Sequence, residues 1–328
     1  MKWILASRSL FLTGIGEVWA VMQGKVRPGG ERSGLALMVL SAGAFALMAA
    51  FAKKLLPDTP TQAVVFSRGV MMTTLFIVLA RRQGAALVGR NPGMLLLRGL
   101  LGYGALSCYF WSVQHLSLGD AVLLQYSHPI FVAAVAPLLL REPAGRAHWG
   151  LIVAALLGVA LIVRPSGEIR PEAIVGVAGS LMSGMAYMTI RTLSRTEHPL
   201  TILVWFPLAT IPGSLIATLV AGRAALPQNA TEVAGHLLVT ATAFVGQIAL
   251  TTGLSRAGAA RATAVSLAGP VFGVLFDLAL FSHYPRPASL AGMAVVLTAL
   301  GLLGWSGSGR TAVVTEKEET DPYRRSER

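Results

Sequence analysis

Residues 34–52 read GLALMVLSAGAFALMAAFA, a run with no charged side chain that is closed at once by Lys53 and Lys54. A hydrocarbon core about 30 Å thick is crossed by about 20 apolar residues in helical form, so this run has the length and the chemistry of a membrane span. Only helices and closed barrels satisfy their backbone polar groups in lipid, and blocks this long and uniformly apolar are helices. The pattern recurs along the chain. Spans are predicted at 34–52, 61–80, 93–113, 119–140, 147–164, 173–191, 199–221, 234–254, 260–281 and 287–306. The expected fold class is an all-α integral membrane protein with ten transmembrane helices.

Composition agrees with this. Of the 328 residues, 54% are hydrophobic and 13% charged, which excludes an ordinary soluble domain. The 35 glycines suit helices that pack closely in lipid. A single cysteine, Cys108, excludes an intramolecular disulfide. A net charge of +12 would suggest nucleic acid in a soluble protein, but here the basic residues flank the spans. Anionic lipid headgroups are therefore the expected partner, and nucleic acid is not. Counted on alternate sides of the spans, one set of connectors and tails carries 19 Lys and Arg and the other set 6, with Arg68 and Arg98 inside spans. The basic side faces the cytoplasm, so both termini are expected there, in the inner (plasma) membrane.

Outside the spans, residues 1–33 form a cytoplasmic N-terminal segment. Arg8 and Glu17 leave too few uncharged positions between them to cross a bilayer, so an interfacial amphipathic helix is expected instead. Residues 307–328, with Glu316, Lys317, Glu318, Glu319, Arg324, Arg325 and Arg328, read as a disordered cytoplasmic tail.

The two halves of the chain echo each other. Ala121, Pro129-Ile130-Phe131 and Leu139 in the fourth span match Ala262, Pro270-Val271-Phe272 and Leu280 in the ninth, all at one constant offset. Five spans per half is an odd number, so the halves insert with opposite orientation. Two inverted five-helix repeats are expected, at 34–165 and 173–306, with a substrate site near the midplane between them. Pro129 and Pro270 each remove a backbone donor and free the carbonyl four residues earlier, at Gln125 and Ser266. A freed carbonyl in hydrocarbon needs a cavity, a water or a polar neighbour.

Several motifs in order carry a resemblance to a known family. They are Arg98-Gly99-x-x-Gly102, then His115-Leu116-Ser117-Leu118-Gly119-Asp120-Ala121-Val122-Leu123-Leu124, then Pro129-Ile130-Phe131 and Leu140-Arg141-Glu142-Pro143, and last Gly150 through Gly158 to Arg164-Pro165. The chain resembles the EamA-type transporters of the drug/metabolite transporter superfamily over about residues 34–306. That resemblance implies a ten-helix inverted-repeat bundle that moves small metabolites by alternating access, with export as the implied direction. The second half departs from the pattern: His283 stands where a glutamate like Glu142 belongs, and Arg261 where the first half has Asp120.

Polar residues inside the spans are the candidate site, because burying them costs free energy. Arg68 and Arg98 read either as site cations or as side chains that snorkel to the interface. Asp277 lies near the depth of Arg68, which permits an ion pair, or it stands as a solvated carboxylate. Arg98, Gly102 and Tyr109 fall on one helical stripe with Ala105. Gln125, Tyr126 and His128 are concentrated just before Pro129, and His128 reads as a proton carrier or as a packing residue. Gln247 and Pro270 complete the candidate set, and Tyr103, Trp111, Tyr187 and Trp205 are further polar or aromatic positions.

Enzymatic chemistry finds no foothold. The six histidines never fall at metal-ligand spacing, and no paired-aspartate, phosphate-loop or intramembrane-protease motif is present. No catalytic residue, metal or cofactor is expected. The expected function is a secondary transporter of a small metabolite, bearing a carboxylate or resembling an amino acid derivative, with proton coupling through His128 and a homodimer both left open. The competing readings are an uptake carrier for a nucleoside-like cofactor, an exporter of an opine-type metallophore, and a non-transporting scaffold or enzyme.

Overall fold

The computed structural model describes residues 31–57, 59–132, 134, 146–163, 171–222, 226–256, 265–266, 268–299 and 301–302, together with Gly16, Val18, Ala20 and Met22. Its helices are α1 (Glu31–Leu55), α2 (Thr61–Arg82), α3 (Pro92–His115), α4 (Leu118–Gln125), α5 (Arg146–Val163), α6 (Pro171–Leu193), α7 (Pro199–Val220), α8 (Ala230–Arg256), α9 (Ala268–Phe281) and α10 (Pro287–Ala299). Among the described residues there is no strand. Among the described residues, six helices are long and apolar enough to cross a membrane, over Ser33–Leu55, Thr61–Arg82, Pro92–His115, Pro171–Ile190, Pro199–Val220 and Ala230–Leu254. Shorter apolar helices run over Trp149–Leu161, Ala268–Phe281 and Pro287–Ala299. Leu157, Ile216, Leu219 and Leu280 stand exposed on the outside of the bundle, where hydrocarbon is the matching solvent.

Local chemistry sets the helix starts. Asn91 accepts from the Met94 N–H at 3.2 Å, and Pro92 takes the first helical position of α3, where its missing donor is not needed. Ser117 does the same for α4, accepting from the Asp120 N–H at 3.2 Å. The expected interfacial helix within residues 1–33 lies outside the described residues, apart from Gly16, Val18, Ala20, Met22 and 31–33, which are helical; Val18 packs into the main core. The tail at 307–328 also lies outside them.

Helix α1 packs on α8, α3 on α6, α2 and α3 on α7, and α9 on both α1 and α4. Two glycines permit close approach of α7 to α2 and α3. A Cβ at Gly99 would stand 3.1 Å from the Trp205 carbonyl oxygen, and one at Gly69 would stand 3.3 Å from that of Pro207. Small residues at such crossings replace the hydrophobic drive that lipid does not supply.

The fourth span is not one continuous helix. Helix α4 ends at Gln125, residues 126–127 form a turn, and helix resumes over 128–132. Pro129 explains the break, since it cannot donate to the Gln125 carbonyl and its ring crowds that oxygen. Pro270 lies within helical backbone in α9, where it is buried, and residues 265–266 ahead of it are helical as well.

Candidate functional site

A cavity of about 80 Å³, room for several water molecules, opens where the broken α4 segment meets α2, α3, α6, α7 and α8. Its walls include Arg68 from α2, Arg98, Gly102 and Tyr109 from α3, and Gln125, Tyr126 and His128 around the α4 break. Across from them stand Ser183 and Tyr187 of α6, Phe206 of α7 and Gln247 of α8. The stripe at Arg98, Gly102 and Tyr109 thus faces the cavity as its helical spacing predicts.

Both arginines are interior. Arg68 is 2% exposed and Arg98 3%, so neither snorkels to the interface. Their guanidinium carbons lie 5.4 Å and 4.5 Å from the centre of the Phe206 ring, within cation–π range. Gly102 makes the Arg98 contact feasible, because a Cβ there would run into both the Phe206 ring and the Arg98 guanidinium. Nε and Nη1 of Arg68, and the same atoms of Arg98, find no hydrogen-bond acceptor among the described residues. No Asp or Glu lines the cavity among those residues.

The α4 break supplies the polar wall. Its freed Gln125 carbonyl accepts from His128 Nδ1 at 2.9 Å, and the His128 ring meets Tyr187 edge-on at 4.5 Å between centroids. Gln125 Nε2 donates to Ser183 Oγ at 2.6 Å, which fixes the amide and leaves Oε1 buried without a donor among the described residues. Pro129 shapes this wall by ending α4, without lining the cavity itself.

Asp277 lies elsewhere. It borders a separate small pocket with Ser117, Gly119 and Asp120, and its Oδ2 accepts from the Gly119 N–H at 3.0 Å. His283 Nδ1 stands 3.4 Å from its other oxygen. The ion pair with Arg68 that similar depth allowed is not formed: depth fixes position along the membrane normal, whereas the direction a side chain faces around its helix decides contact. Nor is Asp277 solvated, being 5% exposed. Pro270 is also outside the cavity wall, though its neighbour Gly269 packs against the Tyr126 ring. Tyr103 donates to Gln62 at 3.3 Å and Trp205 to the Leu87 carbonyl at 2.9 Å, both away from the cavity.

Phe206 and Ser183 are the residues that sequence reasoning missed. Phe206 is followed by Pro207 and Pro212 inside α7, but an aromatic in an apolar helix carries no signal of its own. No histidine, cysteine or carboxylate cluster that could hold a metal ion occurs among the described residues.

Residues 32–164 and residues 170–305 each match the EamA-like transporter family. The chain belongs to that family. An EamA-like chain is a multi-pass membrane transporter of small molecules and not an enzyme. Among its relatives, the pseudopaline exporter CntI of Pseudomonas aeruginosa is 30% identical over 275 residues, covering 82% of this chain and 94% of the exporter. Mouse solute carrier family 35 member G1 is 24% identical over 284 residues, covering 82% of this chain and 77% of the carrier. A solved crystal structure of a protein 18% identical superposes with a TM-score of 0.58, covering 81% of this chain and 95% of that one, which is a likeness of fold.

Proposed function

We propose that the protein is a secondary carrier that exports a small carboxylate-bearing metabolite, of the amino-acid-derivative kind, by alternating access about the central cavity. The observation that carries this reading is a pair of buried arginines, with no carboxylate partner among the described residues, in a cavity walled by both halves of the chain. Arg68, Arg98, Gln125 and His128 come from the first half, and Tyr187, Phe206 and Gln247 from the second. A charged group deep in a membrane bundle is expensive unless it serves a ligand or an ion path. The broken α4 segment beside it is the kind of discontinuity that builds midplane sites in carriers.

The inverted repeat is part of the same proposal, with α1–α5 related to α6–α10. Helix packing supports it. Exchanging the halves turns the α1–α8 contact into α6–α3, and it maps α2–α7 and α4–α9 onto themselves; all four contacts are present. Domains at 34–165 and 173–306, cytoplasmic termini in the inner membrane, anionic lipid around the basic connectors and proton coupling at His128 belong to this reading. A homodimer is compatible with it.

Similarity to an exporter named for pseudopaline makes that compound the first substrate to try. Proteoliposomes loaded with candidate carboxylates should accumulate labelled substrate by counterflow. A sealed vesicle that exchanges none of them would point to a scaffold.

A further inference from the structure

We propose, taking that cavity as the transport site, that the substrate carries two anionic groups, one for each of Arg68 and Arg98. The two guanidinium groups approach one Phe206 ring, at 5.4 Å and 4.5 Å from its centre, so two like charges share a single small space. A ring face attracts a cation but carries no net charge, so Phe206 positions these groups without neutralising them. No described carboxylate lines the cavity to do so. Asp277 is engaged with the Gly119 N–H, Glu197 accepts from the Arg90 and Asn91 N–H groups at 2.7 Å each, and Glu232 accepts from its own loop at Gln228. A neutral occupant would leave two buried cations uncompensated and a monoanion would leave one. A dianion compensates both.

The unpartnered donors agree with this count. Each guanidinium holds two N–H-bearing atoms, Nε and Nη1, without an acceptor among the described residues, and a carboxylate is the group whose oxygens suit such donors. The remaining polar wall is nearly neutral: Gln125, Ser183, Gln247, His128 and the phenols of Tyr109, Tyr126 and Tyr187. No other Lys, Arg, Asp or Glu of the described residues lines the cavity, so the charge of the occupant is set by the two arginines.

Binding to the purified full-length protein in detergent tests this directly. The probes are the straight-chain dicarboxylates from succinate to adipate, each compared with its own mono-amide, which keeps the length and loses one charge. At least one dicarboxylate should bind about tenfold or more tightly than its mono-amide, the loss expected when a charged hydrogen bond is removed. Arg68→Gln and Arg98→Gln should each bring that ratio to about one, while Arg68→Lys, which keeps the charge, should retain a preference. Equal binding of every pair by the wild type, or no binding of any probe, overturns the proposal, as does a preference undiminished in both glutamine variants. Counterflow of the same probes separates the two ideas. A dicarboxylate that binds with the stated preference but is not transported leaves the charge assignment standing and removes the transport reading; transport without any preference does the reverse.

Discussion

The His128 ring donates from Nδ1 to the carbonyl oxygen of Gln125, 2.9 Å away, and so replaces the backbone donor that Pro129 lacks. The bond assigns the ring nitrogens: a carbonyl can only accept, so Nδ1 carries a hydrogen. The same side chain therefore closes the helix break and lines the cavity.

His128→Ala should cost about 1–3 kcal/mol of stability through the orphaned Gln125 carbonyl. It should also cut transport. Counterflow measured alongside thermal unfolding of the same preparation checks both. A variant that unfolds earlier yet transports at the wild-type rate would reduce His128 to a structural role.

At each end of the bundle a carboxylate of the second half accepts from backbone N–H of the first half. At one end, Glu197 takes Arg90 and Asn91 at the start of α3, beside a Thr201 hydroxyl that donates to the Ala86 carbonyl at 2.6 Å. At the other, Asp277 takes Gly119 at the start of α4. Glu197→Ala and Asp277→Ala should each cost about 1–2 kcal/mol, the usual loss of a helix cap, and should change maximal rate while leaving KM near the wild-type value. A large KM increase in Asp277→Ala would return that residue to the substrate site.

Close packing of α7 sets a third expectation. Gly99→Val should clash with Ala209 and the Trp205 carbonyl and cost about 1–3 kcal/mol, read as a lower unfolding temperature in detergent. An unchanged temperature would mean that α3 and α7 can separate freely, contrary to the observed contact.

Orientation is tested by reporter fusions. Those after Arg90, Arg146, Arg195 and Arg310 should read cytoplasmic, and those near Pro57, Glu168 and Asn229 external, following the basic asymmetry of the connectors. A C-terminus labelled from outside would contradict the inverted repeat along with the topology.

Much of this arrangement was legible before any coordinates, for definite physical reasons. Uncharged runs report helices in lipid because nothing else satisfies the backbone there. The 3.6-residue period put Arg98, Gly102 and Tyr109 on one face, and that face does meet the cavity. Gln247 and His128 stood out because polar groups are costly inside a span. Phe206 did not stand out, since one more aromatic in an apolar helix carries no signal until two cations are seen against it. Ser183 is equally ordinary in a glycine- and serine-bearing span. Asp277 was misplaced because sequence gives depth but not facing, and the short reach of α4 was hidden because Pro129 can either kink a helix or end it.

The most direct test of the central reading is counterflow in sealed proteoliposomes with one transported carboxylate and its neutral amide, using wild type, Arg98→Lys and Arg98→Gln. The carboxylate should exchange in the wild type, weaken in Arg98→Lys because an ammonium cannot reproduce the guanidinium fork, and fall by about tenfold or more in Arg98→Gln. The amide should respond to neither change. Wild-type KM and rate for the carboxylate in Arg98→Gln would contradict a cavity built to carry an anionic metabolite.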